Sequence, residues 1–230
     1  MNWNALLGVV CVATYSLPIV IIIYNRYYTH RSLTALLIYY ILVFTDNLVS
    51  ENYIPSTSAV SRVISLVDNY AYVPLMLTAL LFFCASRQKQ KKLRLLTLIF
   101  LVYEVAIISV FGFSFNSIVY ISGAGVLTLL IYSFYLFVRQ VKFTIFHGKN
   151  QGRLLMLAAI VFDCSCYSLI YFFNYIEKTP YQNDVFKLYY ISSIISSLLM
   201  ATGLQLMHKR MKELQALKIT RKELAMVFSH

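Results

Sequence analysis

The stretch ALLGVVCVATYSLPIVIIIY, Ala5 to Tyr24, contains no charged residue. A helix of about 20 apolar residues is long enough to cross the hydrocarbon core of a membrane. Six more apolar stretches of comparable length follow, and the seven predicted spans lie near residues 5–24, 33–50, 67–86, 94–112, 117–138, 154–175 and 186–207. Because backbone polar groups in lipid must be satisfied within a segment or a closed barrel, and these runs are too long for barrel strands, the sequence predicts an all-α membrane protein.

The composition supports this fold class. Of the 230 residues, 60% are hydrophobic and only 13% are charged, about half the charged fraction of an ordinary soluble domain. The connections between the spans are short and leave no room for a soluble domain. The longest connection on the side opposite the basic residues, residues 51–66, carries apolar residues at helical spacing, and we expect it to lie as an amphipathic segment on the membrane surface.

The net charge of +11 is distributed unevenly along the chain. Seventeen of the twenty lysines and arginines lie in alternate connections or after span seven, which places them on one side of the predicted membrane, whereas Arg62, Lys178 and Lys187 lie on the other side. The positive-inside rule predicts that the basic side is cytoplasmic. The N-terminus would then be outside and the C-terminus inside. Most of the positive charge would contact anionic membrane lipids, and we expect no direct binding of nucleic acid.

Acidic residues occur inside the predicted spans without basic residues at the same depth. Glu104 and Asp163 fall near the middle of spans four and six, and Asp46 and Asp68 in the outer thirds of spans two and three. Such residues are costly in lipid and often mark functional sites. Their charges require protonation, hydrogen bonds or a cationic ligand.

Each acid could instead be a separate packing element, but together they favour one outward-facing ligand site. Span seven adds Tyr189 and Ser193, which share a helix face with Ser196 and Ser197. Small polar stripes of this kind occur both in close helix packing and in pocket linings.

Several other functions do not fit the residues. A retinal protein needs a lysine in the middle of span seven, and Lys187 lies at the start of that span. The chain has neither a G-x-S-x-G nor a H-E-x-x-H motif. Cys164 and Cys166 project to nearly opposite sides of a helix and have no accompanying histidine. We therefore expect no metal, no cofactor and no catalytic site within the spans.

The sequence after span seven predicts a continuous helix. Residues 208–230 contain no glycine or proline and are rich in helix-forming residues. Leu204, Met207, Met211 and Leu214 follow heptad-like spacing, which would suit a parallel homodimer. The alternative is an amphipathic helix lying on the inner leaflet. The sequence thus divides into a seven-helix membrane domain, residues 1–207, and a cytoplasmic linker helix, residues 208–230.

The final residues, RKELAMVFSH or Arg221 to His230, resemble the first half of the H-box of membrane histidine kinases. The shared features are a charged lead-in, an apolar pair, a further hydrophobic residue and Ser-His. This resemblance implies that His230 is the phosphoacceptor and Ser229 its neighbour. The ATP-binding domain of that family has no counterpart in the chain, so we expect no enzymatic activity and an output module that is truncated or separate.

A second family resembles the same tail. ITRKELAMV, Ile219 to Val227, is similar to the opening of LuxR-type helix-turn-helix domains, with Thr220, Lys222 and Glu223 at matching places. Both resemblances imply a bacterial inner-membrane sensor or receptor for signal transduction, as in two-component systems. We expect its signal to be a small or apolar ligand or a change in the membrane, transmitted through span seven. A small transporter that uses the intramembrane carboxylates is the alternative. An assembly subunit without a ligand is a third hypothesis.

Overall fold

The computed structural model describes residues 3–147, 150–177 and 182–227. These residues form seven α-helices and no β-strand. All seven helices are long and apolar enough to cross a membrane, as expected of a multi-pass membrane protein. The helices are α1 (Trp3–Tyr24), α2 (Arg31–Ser50), α3 (Ser58–Leu80), α4 (Arg87–Phe111), α5 (Phe115–His147), α6 (Gln151–Tyr171) and α7 (Gln182–Val227).

Short caps and turns separate the helices. The side-chain oxygen of Thr57 accepts a hydrogen bond from the amide of Val60 at the start of α3, and Ser86 caps α4 through the amide of Lys89. These are typical N-caps, which satisfy one of the free amides of a first helical turn. Gly112 ends α4 with φ +73°, a conformation that favours glycine.

Six of the helices pack in a closed ring. The main contacts run in the order α1, α2, α3, α5, α6, α7 and back to α1, and α4 packs on the outside of this ring against α3 and α5. We call the end at which α1 begins the N-terminal end of the bundle. The opposite end, at which α7 leaves the bundle, is the C-terminal end.

The third helix begins earlier than the sequence predicts. The segment expected to lie as a separate amphipathic cap forms the first turns of α3 from Ser58. The loop ends at Thr57, which caps the first turn of α3. No glycine or proline interrupts the helix before Pro74. Val60 and Val63 are exposed on this extension, while Leu66 is buried against the bundle.

The last helix continues without a break from Gln182 to Val227, as the sequence predicts for the part that the structure describes. The predicted heptad seam, however, is divided between two environments. Leu204 and Met207 are buried in the core of the bundle, whereas Met211 and Leu214 are exposed. The first half of the seam therefore packs within one chain and is not free to contact a second copy.

Candidate functional site

A cavity of about 640 Å³ lies among α1, α2, α3, α6 and α7. It extends from Tyr15 and Asp163, near the middle of their helices, to the N-terminal end of the bundle, where α2 ends and α7 begins. Its wall carries four carboxylates, those of Asp46, Glu51, Asp68 and Asp163. We call it the polar cavity.

No lysine, arginine or histidine lines the polar cavity among the residues that the structure describes. Carboxylates that share a cavity of low dielectric constant repel one another, and burial removes the water that would stabilise their charges. They are neutralised by bound protons, or they attract a cation. The protein itself supplies hydrogen bonds to some of these oxygens and leaves another without a partner.

Asp163 is the deepest of the four acids and bonds to two other helices. The hydroxyl of Ser196 on α7 donates to its Oδ1 at 3.2 Å, and the hydroxyl of Tyr72 on α3 donates to its Oδ2 at 3.4 Å. The carboxylate therefore links α6 to both α3 and α7. A change in its protonation or ligation would act on all three helices.

Asp46 and Asp68 lie at the contact between α2 and α3 but differ in their hydrogen bonds. The hydroxyl of Ser65 donates to Oδ1 of Asp46 at 2.5 Å. Asp68 lies one turn beyond Ser65 on the same face of α3. Its Oδ1 is buried and accepts no hydrogen bond from any described group. A buried acceptor without a donor is unusual in folded proteins and is a candidate contact for a ligand, a proton or water.

Glu51 and Asn47 connect the end of α2 to the start of α7. Tyr190 donates a hydrogen bond to Oε1 of Glu51. The amide nitrogen of Asn47 donates to the hydroxyl oxygen of Tyr189 at 2.9 Å. Glu51 directly follows α2 and lies four residues after Asn47. Two adjacent tyrosines of α7 are therefore held by two polar residues at the end of α2.

Tyrosine rings form much of the remaining wall. Tyr39, Tyr72 and Tyr167 are consecutive neighbours, with ring centroids 5.6 Å and 5.3 Å apart. The hydroxyl of Tyr167 donates to Oδ1 of Asn69 at 3.2 Å. The eight tyrosines that line the cavity are Tyr15, Tyr39, Tyr72, Tyr167, Tyr171, Tyr175, Tyr189 and Tyr190. Aromatic faces and hydroxyl groups together suit an organic cation or a small polar molecule.

Five of the six predicted ligand-binding residues line this one cavity: Asp46, Asp68, Asp163, Tyr189 and Ser193. The serines on this face of α7 take both of the roles considered from the sequence, pocket lining and close helix packing. Ser193 lines the cavity and Ser196 bonds to Asp163, while Ser197 is fully buried in the helix packing.

Glu104 is the predicted site residue that the structure places elsewhere. It lies on α4, outside the helix ring, and does not line the polar cavity. Its side chain is buried, and Oε2 has no hydrogen-bond partner among the described residues. The expected shared site of four intramembrane acids is thus reduced to three of them, joined by Glu51.

The sequence pattern did not single out Glu51, Asn47 or Asn69 as site residues. Glu51 directly follows span two and falls within the predicted connection, residues 51–66. The useful signal was helical spacing, because Asn47 and Glu51 continue the face of α2 that also carries Val43. A polar face that continues beyond the end of an apolar span can extend a buried site to the membrane surface.

The tail that resembles an H-box is described only in part. The backbone of α7 is helical through Val227, while Ser229 and the predicted phosphoacceptor His230 lie outside the described residues. Within the described ranges, no group of three or more histidine, cysteine or acidic side chains is placed to hold a metal ion. No protein-family model, curated protein or solved structure matches the chain.

Proposed function

We propose that the chain is a membrane sensor or receptor module that binds a small ligand in the polar cavity and transmits the signal through α7. In this proposal the N-terminal end of the bundle faces outward and the C-terminal end faces the cytoplasm. The output is a histidine kinase-like or transcription-regulator-like module that follows α7 or is supplied separately. The module has no catalytic site of its own.

The observation that carries the proposal is the position of α7. The first part of this helix lines the polar cavity with Tyr189 and Ser193, and the same helix runs unbroken to Val227. At about 1.5 Å per residue, the distance from Ser193 to Val227 is about 50 Å. A rotation or tilt of α7 at the cavity would therefore be carried well beyond the opposite end of the bundle.

The packing of α7 against α6 supports a pivot between these two ends. A Cβ added to Gly203 would lie 2.8 Å from the carbonyl oxygen of Gly152, and one added to Gly152 would lie 2.6 Å from the carbonyl oxygen of Gly203. The two backbones therefore cross in direct contact. Small residues at helix crossings allow such close approach in membranes.

The ligand class follows from the wall of the polar cavity. The four carboxylates have no basic partner among the described lining residues and would attract a cation. Tyrosine faces stabilise an organic ammonium group. We therefore propose a small organic cation, such as an amine, as the ligand. Its binding would be coupled to α7 through Ser196, which bonds to Asp163, and through Tyr190, which bonds to Glu51.

A fusion protein tests the transmission. The core of a well-characterised histidine kinase would be joined after His230, and one to four alanines would be inserted between His208 and Met211. Each insertion rotates the downstream helix by about 100°. We expect kinase activity to rise and fall periodically with insertion length. Activity that is indifferent to every insertion would contradict transmission through α7.

The same fusion tests the role of the polar cavity. Asp163→Asn should change the basal kinase activity, because it alters the hydrogen bonds to α3 and α7. Glu104→Gln is the matched control, since it also neutralises a buried intramembrane acid but lies outside the cavity. Equal effects of the two changes would argue against the cavity as the input site.

A small transporter remains the second candidate, favoured by the depth of Asp163 and its bonds to two neighbouring helices. Carboxylates in this position can bind and release protons in transporters. Proteoliposomes containing a pH-sensitive dye would distinguish the two functions. A substrate-driven proton flux that Asp163→Asn abolishes would favour the transporter over the sensor.

A further inference from the structure

A second cavity, of about 860 Å³, lies at the C-terminal end of the bundle. It is bounded by the turn that joins α1 to α2, by the first turn of α6 and by α7 where this helix leaves the bundle. The hydroxyl of Tyr27 lies 3.1 Å from Nδ1 of His208 beside it. Burial raises the pKa of Tyr27, so the phenol stays protonated. We call this space the basic cavity.

The charged residues of the basic cavity are mainly cationic. Arg153, Lys209 and Arg210 line it together with His30, and Glu213 is the single acid among the described lining residues. Glu213 is already paired with Arg210, at 3.2 Å. Neither Arg153 nor Lys209 has an acidic partner in the described part of the chain.

Arg153 is held in place by an aromatic ring instead of a carboxylate. Its guanidinium carbon lies 4.7 Å from the ring centroid of Phe82, and the side chain is partly buried. Stacking fixes the plane of a guanidinium group while leaving its N–H donors available. An arginine in this state is suited to bind the oxygens of a phosphate or carboxylate.

The backbone of α6 adds further donors to the same wall. The residue that precedes the helix, Asn150, has φ +70°, and its side chain does not cap the first turn of α6 in the described structure. The first amide that bonds within the helix is that of Leu154, to the carbonyl of Asn150. The amides of Gln151 and Gly152 therefore have no helical acceptor, and both residues line the cavity. Free amides at a helix N-terminus favour anions.

The remaining wall is apolar. Six side chains of this kind line the cavity: Leu33, Phe82, Leu206, Met207, Met211 and Leu214. A free inorganic anion would leave this surface uncovered. The combination of unpaired cations, free amides and an apolar wall suits an anionic group attached to a hydrophobic body.

We propose that the basic cavity binds a phosphate-bearing anion, with Arg153 and Lys209 contacting the phosphate oxygens. The source is the headgroup of an anionic phospholipid or a soluble phosphate ester. Such a ligand would bridge α6 and α7 on the far side of the Gly152–Gly203 crossing and hold α7 at the point where it leaves the bundle. This inference does not depend on the ligand or output of the proposed sensor.

Lipid nanodiscs provide the test with the full chain. The melting temperature would be measured in phosphatidylcholine alone and with one third phosphatidylglycerol, and then in phosphatidylcholine with millimolar glycerol 3-phosphate or inorganic phosphate. We expect phosphatidylglycerol to raise the melting temperature by several degrees and to remain bound in native mass spectrometry. Stabilisation by glycerol 3-phosphate in phosphatidylcholine would identify a soluble ester as the source.

The variant Arg153→Gln/Lys209→Gln should lose the stabilisation by the phosphate-bearing probe. The matched control is Lys92→Gln/Lys142→Gln, which removes the same amount of charge from basic segments outside the cavity. This control should still be stabilised by the phosphate-bearing probe. If Arg153→Gln fails to fold, Lys209→Gln alone, at an exposed position, should reduce affinity several-fold. Equal responses of both double variants, or no response to any probe, would overturn the proposal.

Discussion

The polar and basic cavities lie toward opposite ends of one bundle and share α7, yet their chemistry is opposite. The polar cavity combines four acids with tyrosines. The basic cavity combines Arg153 and Lys209, which have no acidic partner in the described part of the chain, with aliphatic and methionine side chains. The difference follows one asymmetry in the distribution of charge along the chain. The lopsided distribution of basic residues that predicts the orientation of the protein also removes cations from one site and concentrates them at the other.

The largest expected effect concerns the orientation on which this comparison depends. Lys92 lies near the start of α4 and Phe113 lies just beyond its end, so reporters fused after them should be on opposite sides of the membrane. We expect a phosphatase reporter to be active after Phe113 and inactive after Lys92, because the positive-inside rule acts on the short basic connections. The reverse pattern would exchange the outer and inner faces of the two cavities.

The next effect concerns the crossing of α6 and α7 that separates the cavities. Gly203→Leu should destabilise the protein by about 1–3 kcal/mol, because its side chain would be forced against the backbone of α6. Thr202→Leu, on the exposed side of the same helix, is the control and should change the melting temperature much less. A well-tolerated Gly203→Leu would mean that the helices separate easily, and that no fixed pivot joins the two sites.

A double-mutant cycle distinguishes the polar cavity from the isolated acid on α4. Asp163→Asn and Tyr72→Phe should couple by about 0.5–3 kcal/mol in stability, because the two side chains share a hydrogen bond. Asp163→Asn and Glu104→Gln should be additive within about 0.5 kcal/mol. Chemical denaturation in detergent micelles would measure both cycles. Strong coupling between Asp163 and Glu104 would mean that Glu104 belongs to the same site.

The smallest effect concerns the single acid of the basic cavity. Glu213→Gln should change stability by less than about 0.5 kcal/mol, since its pair with Arg210 is exposed. It should nevertheless increase affinity for a phosphate-bearing probe several-fold by removing the only negative charge among the described lining residues. Asp184→Asn breaks a more exposed i,i+3 pair at the other end of α7 and should leave that affinity unchanged.

The helices of this protein could be predicted from its sequence more completely than the members of its polar cavity. The seven spans and the continuity of α7 follow from hydropathy and helix propensity, which are local properties averaged over about 20 residues. Asp46, Asp68 and Asp163, for which the sequence predicts a shared site, line one cavity. Glu104 cannot be distinguished from Asp163 by sequence, because both lie near the middle of their spans and hydropathy does not indicate which helix lies outside the ring.

The sequence by itself determined the all-helical fold class, the seven apolar helices and the separation of acidic from basic residues along the chain. Only the tertiary structure decided which side chains meet. It placed Glu51 and Asn47 against the tyrosines of α7, buried Leu204 and Met207 within one chain, and stacked Arg153 on Phe82. The physical reason is that the rotation of each helix about its axis and its choice of neighbours depend on packing, such as the Gly152–Gly203 contact, between residues far apart in the sequence.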